Sequence, residues 1–310
     1  MQTTKWILAM AAMSGLCAAC ATAQEVPTTK PPDKPSIKPP EAISPDWKRP
    51  GVGGDKSGGQ LVSVRGAADV DAIVPGQKFL LAFVFKIEPG WHIYWKDSGD
   101  SGAPTEIEIA APAGFVVGKT LFPRPQRFTE PEGEVYGYEG ETVLFVEMTP
   151  PMEPAPSGPA MFRAELNWLV CKDVCKVGHA ADVVTLPVSN SSARPDHKKD
   201  ATVERFKNRL PQMLANGQND AVVELKDGVL RVELPAGGRT AAEFFAVETP
   251  GVEYGTPDIK VETDRVVLKV PVEFNVRNAN GKSIAVKGLV AIGASPDDPC
   301  YEFEFPLPAS

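Results

Sequence analysis

The chain has 310 residues, a formal net charge of −8 and a pI near 5.1. This length allows about two domains, and 43% apolar with 23% charged residues is ordinary for a globular protein. The acidic balance argues against a nucleic-acid-binding protein, which needs a basic surface to contact phosphates.

The first 23 residues predict a signal for export. Lys5 precedes an apolar stretch over residues 6–20 that is too short to span a membrane. Residues 21–23 (Ala-Thr-Ala) then have the small-residue pattern of a signal-peptide cleavage site. The alternative is a lipoprotein signal in which Cys20 is acylated, which would tether the chain to a membrane. Both interpretations predict a protein that is periplasmic or otherwise exported, in a compartment where disulfides persist.

Residues 24–58 predict a disordered, extended linker. The segment contains eight prolines and ends in a glycine-rich stretch. A segment of this composition cannot bury a core, and proline makes it a semi-rigid spacer.

Short apolar runs separated by glycine and proline follow over residues 59–190. Their spacing is typical of a β-sandwich, and no helical periodicity is sustained. The predicted strands are 79–85, 106–109, 115–121, 142–148, 161–170 and 181–186.

Residues 191–218 predict a short linking helix. Val203, Phe206, Leu210 and Leu214 recur at helical spacing, and Pro211 interrupts the pattern.

Residues 219–310 return to the alternating pattern of strands, for example over 230–234 and 301–305, with Asn-Ala-Asn-Gly at 278–281 as a candidate hairpin turn. The predicted fold class is therefore all-β, with a β-sandwich followed by a second, smaller one.

The most unusual feature is the pair Cys171 and Cys175. Two residues four apart on a regular helix have Cβ atoms about 5–6 Å apart, whereas a disulfide needs roughly 3.5–4.5 Å. A bond between them therefore predicts a turn or irregular loop at the end of a strand.

The pair has two interpretations if it is bonded. As a structural staple, so short a ring stabilises the folded chain by only about 2 kcal/mol. The alternative is a redox pair, whose thiolate Lys172 and Lys176 would favour and Asp173 would oppose.

A metal site is a third interpretation of the same stretch. Cys171, Cys175 and His179 follow one another at four-residue steps, and two thiolates with an imidazole suit copper or zinc. Against it, Gly178 would break any helix that aligned the three.

Cys300 is predicted to be separate from this pair. It follows a turn at 296–299 and precedes an alternating strand, which is typical of a buried, unpaired cysteine. Asp297 and Asp298 are expected to raise the pKa of its thiol.

Three further motifs stand out before the cysteine pair. Trp-His-Ile-Tyr-Trp at 91–95 alternates its aromatics as a packed strand does, and His92 within it is a structural histidine or a general base. Gly-Asp-Ser-Gly at 99–102 predicts a loop, and it is not the nucleophile elbow of a hydrolase. Tyr-Gly-Tyr-Glu-Gly at 136–140 predicts a tight turn.

These motifs, followed by Trp-Leu-Val-Cys-Lys-Asp-Val-Cys at 168–175, resemble the N-terminal periplasmic domain of the disulfide reductase DsbD, most closely its ScsB-type relatives linked to copper tolerance. The resemblance covers about residues 60–190, and the region after 218 resembles the second ScsB-type domain only loosely. It implies an immunoglobulin-like sandwich in which Cys171 and Cys175 exchange disulfides with partner proteins.

The partners that the resemblance implies are thioredoxin-like or DsbD-type membrane redox proteins, and no small-molecule cofactor is expected. Better-known DsbD domains separate their cysteines by more residues, so details of their cap loop do not transfer. Membrane helices and a thioredoxin-like C-x-x-C domain are not found in this sequence. We therefore expect either a freestanding domain served by another protein or a sandwich that has lost electron flow.

The leading hypothesis is an exported thiol:disulfide exchange protein with Cys171 and Cys175 as its catalytic residues. The alternative is a non-enzymatic binding module, for copper for example, in which the pair is a staple or a set of ligands. Tyr136, Tyr138 and Trp168 are the aromatic residues expected to shield the pair at rest.

Overall fold

The structure is a computed structural model that describes residues 58–131, 133–152, 158–189, 200–214, 220–274 and 285–306. The expected signal and lipid site, almost all of the proline-rich linker and the candidate turn at 278–281 lie outside the described residues. So do the predicted domain boundaries at 190/191 and 218/219. In the part of the chain that the structure describes, neither helix has the length and apolar character needed to cross a membrane.

The first half of the described chain is a sandwich of two antiparallel sheets. One sheet has the strand order β1-β2-β8-β5, and the other has the order β10-β9-β3-β7-β6 with β4 paired to β9. The elements are α1 (Gly58–Leu61), β1 (Val62–Ala68), β2 (Phe79–Ile87), β3 (His92–Gly99), β4 (Glu106–Ala110), β5 (Val116–Leu121), β6 (Gln126–Glu130), β7 (Gly133–Glu139), β8 (Glu141–Thr149), β9 (Ala160–Cys171) and β10 (Cys175–Leu186).

The six predicted strands are confirmed. The strand predicted at 181–186 begins earlier than expected, since these residues are only the second half of β10. The turn predicted at 136–140 is wrong. Its first four residues end strand β7, and the chain turns only at Gly140, which has a φ of +69°. Gly137 serves close packing of strands instead, since a Cβ there would lie 2.1 Å from the carbonyl oxygen of Ile93.

Strand β2 is buried on both faces, which explains its continuous apolar run. Leu81, Phe83 and Phe85 face the opposing sheet, whereas Ala82 and Val84 face outward with residues of β8.

The outward face of this sheet is covered by the helix α2 (Ala201–Lys207). The helix begins after Asp200, whose carboxylate accepts hydrogen bonds from the backbone N–H groups of Thr202 and Val203. Val203 and Phe206 then pack on the sheet. The predicted helix is therefore confirmed but shorter than the apolar spacing suggested, because it ends before Pro211.

The second half of the described chain forms another two-sheet sandwich. One sheet has the order β11-β19-β18-β14, and the other has the order β12-β13-β17-β15 with β16 paired to β17. Its strands are β11 (Gln212–Met213), β12 (Val222–Lys226), β13 (Val229–Pro235), β14 (Ala242–Ala246), β15 (Val252–Tyr254), β16 (Asp258–Val261), β17 (Arg265–Phe274), β18 (Ala285–Ile292) and β19 (Cys300–Pro306).

The two sandwiches share a buried boundary. Successive residues of β14 point to different cores, because Phe245 joins the first core and Phe244 joins the second. Phe245 lies edge-to-face against Trp95 and Tyr136 of the first sandwich, with ring centroids 6.3 Å and 5.2 Å away. The alternating pattern thus buries both faces of this sheet, one in each sandwich.

Candidate redox site

Cys171 and Cys175 close a β-hairpin. Cys171 is the last residue of β9, Cys175 is the first of β10, and the two are direct partners across the ladder. Their sulfurs are bonded at 2.01 Å and their Cα atoms are 4.1 Å apart. The predicted bond is confirmed, with the cysteines flanking a three-residue loop, Lys172 to Val174.

The disulfide lies on the outer face of its sheet. Side chains alternate along a strand, and the even-numbered residues Trp168 and Val170 belong to the sandwich core. Leu169 and Cys171 therefore point away from the core, where they pack with residues of β3, β6 and β7.

The two cysteine residues differ in exposure. Cys171 is completely buried, in a cluster with Tyr94 and Val135 against which Phe128 and Leu169 pack. Cys175, by contrast, is exposed at the start of β10. Cys175 is therefore the cysteine of the pair that is open to solvent, whereas Cys171 is enclosed.

Tyr94 connects the disulfide to the Gly-Asp-Ser-Gly loop. Its hydroxyl lies 3.9 Å from Sγ of Cys175, and its backbone carbonyl accepts a hydrogen bond of 2.8 Å from the hydroxyl of Thr105. Gly102, at a φ of +92°, lies against the Tyr94 ring, where a Cβ would come within 2.3 Å of a ring carbon. The loop thus needs glycine here for both its backbone angle and its close approach.

The aromatic residues expected to shield the pair are the wrong ones. Tyr138 and Trp168 lie in the sandwich core, and Tyr136 packs against it, all on the opposite side of the sheet from the disulfide. The hydroxyl of Tyr138 donates to the carbonyl of Pro123. Tyr94 is instead an aromatic residue in contact with the disulfide, because its position in β3 puts its ring on the outer face.

His92 lies beside Cys171 in the sheet. The two are direct partners between β3 and β9, and the imidazole stacks on Phe128 with ring centroids 4.7 Å apart. Its Nε2 is 3.1 Å from Oε1 of Glu130. Burial lowers the pKa of His92 below its ordinary value, although the carboxylates of Glu130 and Glu139 act in the opposite direction.

The metal interpretation finds no support in the described residues, which contain no cluster of three or more potential metal-binding side chains. The two cysteines are bonded to each other. His179 is half-exposed, with Nδ1 3.0 Å from Oδ1 of Asn167 and Nε2 3.2 Å from Oε2 of Glu165.

Comparison with known proteins identifies the first sandwich. Residues 59–187 match the family described as the N-terminal part of the thiol:disulfide interchange protein DsbD. The chain contains a DsbD N-terminal-type domain. Among solved structures it is similar to the N-terminal periplasmic domain of ScsB from Proteus mirabilis, with 16% identity and a TM-score of 0.54. That likeness covers 81% of this chain and 94% of the other.

Two further solved structures are similar to parts of this chain. The GAE domain of yeast GGA1 has 8% identity, covering 46% of this chain and 100% of that one with a TM-score of 0.24. The sporulation control protein Spo0M from Bacillus subtilis has 10% identity, covering 56% and 78% with a TM-score of 0.22. Both TM-scores are below 0.5, so neither likeness bears on the fold. None of the curated proteins matches this chain.

Cys300 stands apart from the disulfide of the DsbD N-terminal-type domain. It is unpaired and buried, as predicted, and its Sγ lies 3.6 Å from the carbonyl oxygen of Arg209. Burial raises the pKa of its thiol to about 12, Arg124 opposes this and Glu302 adds to it. The predicted rise in the pKa of Cys300 is confirmed, but burial causes it, and not Asp297 and Asp298 as expected.

Alkylation should therefore separate Cys300 from the pair. In the mature chain without the predicted signal, and with the disulfide intact, iodoacetamide is expected to leave native protein unmodified and to label Cys300 alone after denaturation, because a buried neutral thiol is unreactive. Mass spectrometry of the digested protein measures this. A disulfide between Cys300 and either Cys171 or Cys175 would contradict the assignment.

Proposed function

We propose that this protein exchanges disulfides with partner proteins through Cys171 and Cys175, in an exported, periplasmic location. The observation that carries the proposal is the unequal exposure of the two cysteine residues, one buried and one exposed at the end of a hairpin. Exchange proceeds by attack of a thiolate on one sulfur of a disulfide while the other leaves. Cys175 is the sulfur that a partner attacks, and Cys171 is the one that leaves and later resolves the mixed disulfide.

The bond is a poor candidate for a purely structural role. It joins residues that the β9–β10 ladder already holds opposite each other, and so short a ring removes little entropy from the unfolded chain. A staple between distant strands would stabilise the sandwich more. This comparison supports a function that depends on opening the bond.

The surface next to Cys175 suits a protein partner. Val174 and Val177 flank the exposed cysteine and are 59% and 77% exposed. Apolar side chains around a reactive sulfur give a thioredoxin-like protein, or a membrane redox protein of the DsbD type, a contact surface during exchange. The family match supports this class of partner. A lipid tether at Cys20 would keep the domain near a membrane-bound donor.

A redox titration of the Cys171–Cys175 pair tests the proposal. After equilibration in dithiothreitol buffers of known potential, the fraction of disulfide is measured by alkylation and mass spectrometry. We expect a reduction potential above about −300 mV, since structural disulfides typically lie below that value.

A potential well below that range would favour the alternative, a non-enzymatic binding module with a structural disulfide. In that case, reducing the bond should lower the free energy of unfolding by about 2 kcal/mol, and no exchange with partners should follow. Copper binding by the reduced pair belongs to the same alternative, and titration of the reduced protein with Cu(I) measures it.

A further inference from the structure

We propose that His92, with Glu130 beside it, accepts the proton of Cys171 when the reduced pair passes its electrons to a partner. The inference rests on the exchange function proposed above and adds a proton acceptor to it.

The first argument is placement. His92 and Cys171 are direct cross-strand partners, and such partners have Cβ atoms about 4.5–5.5 Å apart on one face of the sheet. The imidazole also lies edge-to-face with Tyr94 at 5.2 Å between ring centroids. The Tyr94 hydroxyl is in turn 3.9 Å from Sγ of Cys175. The ring is therefore on the same face of the sheet as the Cys171 side chain, against Tyr94 and Phe128 of the cluster that encloses this cysteine.

The second argument is the carboxylate of Glu130 next to the ring. Its Oε1 is 3.1 Å from Nε2 of His92, and its Oε2 accepts a hydrogen bond of 3.2 Å from the hydroxyl of Ser101. The contact does not have the geometry of a hydrogen bond, but a negative charge this close to Nε2 favours the tautomer with hydrogen on that nitrogen, which leaves Nδ1 as the acceptor. A thiol, an imidazole and a neighbouring carboxylate are the parts of an activated nucleophile.

The third argument is the charge around the ring. Three ionisable groups face His92 from neighbouring strands: Glu130 on β6, Glu139 on β7 and Cys171 on β9. Burial keeps the pKa of His92 below its ordinary value, so the ring is neutral near pH 7 and able to accept a proton. Once it is protonated, the partly buried carboxylate of Glu130 stabilises the imidazolium.

The chemistry has two steps. In the first, the thiolate of Cys175 attacks a disulfide, forms a mixed disulfide, and the other sulfur leaves with the electron pair of the broken bond. In the second, the Cys171 thiol gives its proton to Nδ1 of His92 and the resulting thiolate attacks Sγ of Cys175. The Cys171–Cys175 bond forms, and the second sulfur leaves as a thiolate. The pair is oxidised by two electrons, the added disulfide is reduced by two, and the imidazolium releases its proton to solvent.

The two steps can be followed separately with 5,5′-dithiobis(2-nitrobenzoate) in a stopped-flow experiment on the reduced protein. Attack by Cys175 releases the first coloured thiolate at a rate that depends on reagent concentration. Attack by Cys171 releases the second at a rate that does not. We expect the second rate in the native sequence to change little between about pH 6 and pH 8.

In His92→Gln the second rate should fall on the order of 100-fold near pH 7, as is typical when a general base is lost. It should also rise by about tenfold per pH unit, because the buried thiol must then ionise unaided. Glu130→Gln should slow the second rate by a smaller factor while the pH dependence stays shallow, since the imidazole remains. His179→Gln is the matched control, and both of its rates should equal those of the native sequence.

An unchanged second rate in His92→Gln, or a rate lowered by the same factor at every pH, would overturn the role of His92 as proton acceptor. If His92→Gln does not fold, an unchanged second rate in Glu130→Gln overturns it instead. A native protein that releases no coloured thiolate would overturn the exchange function and, with it, this role. The experiment therefore distinguishes a failure of the proton-acceptor role, seen in the second rate of the variants, from a failure of the exchange function, seen in the native protein.

Discussion

Cys171→Ala is expected to trap a covalent complex with a thioredoxin-like partner, whereas Cys175→Ala abolishes exchange without trapping one. In the proposed mechanism the exposed residue Cys175 forms the mixed disulfide and the buried residue Cys171 resolves it, so removing the resolving cysteine leaves the complex with no way to decay. Both substitutions should reduce turnover to the background rate.

The experiment uses a thioredoxin variant that keeps only its attacking cysteine, activated as a mixed disulfide with 5-thio-2-nitrobenzoate. A non-reducing gel should show a near-stoichiometric adduct for Cys171→Ala, very little for Cys175→Ala and none for the reduced native protein, which resolves it. Cys300→Ala is the control and should behave as the native sequence does. Equal adducts from both single variants, or none from either, would contradict the assignment of roles.

Arg124→Ala is expected to lower the free energy of unfolding by about 3 kcal/mol. The Arg124 side chain is only 4% exposed and donates to the carbonyl oxygens of Gly293 and Ser295 and to the carboxylate of Glu243. These bonds join the first sandwich to the second. Removing the guanidinium leaves the buried carbonyl oxygen of Gly293 without this donor, which costs more than the loss of a surface ion pair.

Urea unfolding followed by circular dichroism measures this loss. Arg231→Ala is the matched control, because Arg231 also contacts carboxylates of two glutamates but its side chain is 43% exposed. It should cost less than about 1 kcal/mol. Equal losses in the two variants would mean that Arg124 does not join the sandwiches.

Much of the fold could be predicted from local patterns. The alternation and turn residues that mark strands are properties of consecutive residues, so the strands over 79–85 and 161–170 were found from the sequence. The same holds for the cysteine pair, since the spacing of Cys171 and Cys175 favours a turn over a helix and the hairpin provides one. The short helix was found for the same reason, through the spacing of Val203 and Phe206.

The composition of the site was not predictable in this way. Alternation divides a strand into two faces, but it does not say which residues of another strand share a face, and a shift of one residue exchanges the two sets. Trp168 was therefore assigned to the disulfide, although it lies on the core side. Tyr94 lies against the disulfide because β3 is paired with both β7 and β9.

Long-range partners account for the rest. Glu130 is 3.1 Å from His92 although 38 residues (130 − 92) separate them in the chain, and no periodicity relates two such positions. The packing of Phe245 into the first core is similar, because the alternation in β14 marks two apolar faces without saying what covers each. Local periodicity therefore specifies the strands and the hairpin that holds the disulfide. The pairing of strands and the packing of sheets specify which side chains surround its sulfurs, because those contacts join residues that are distant in the chain.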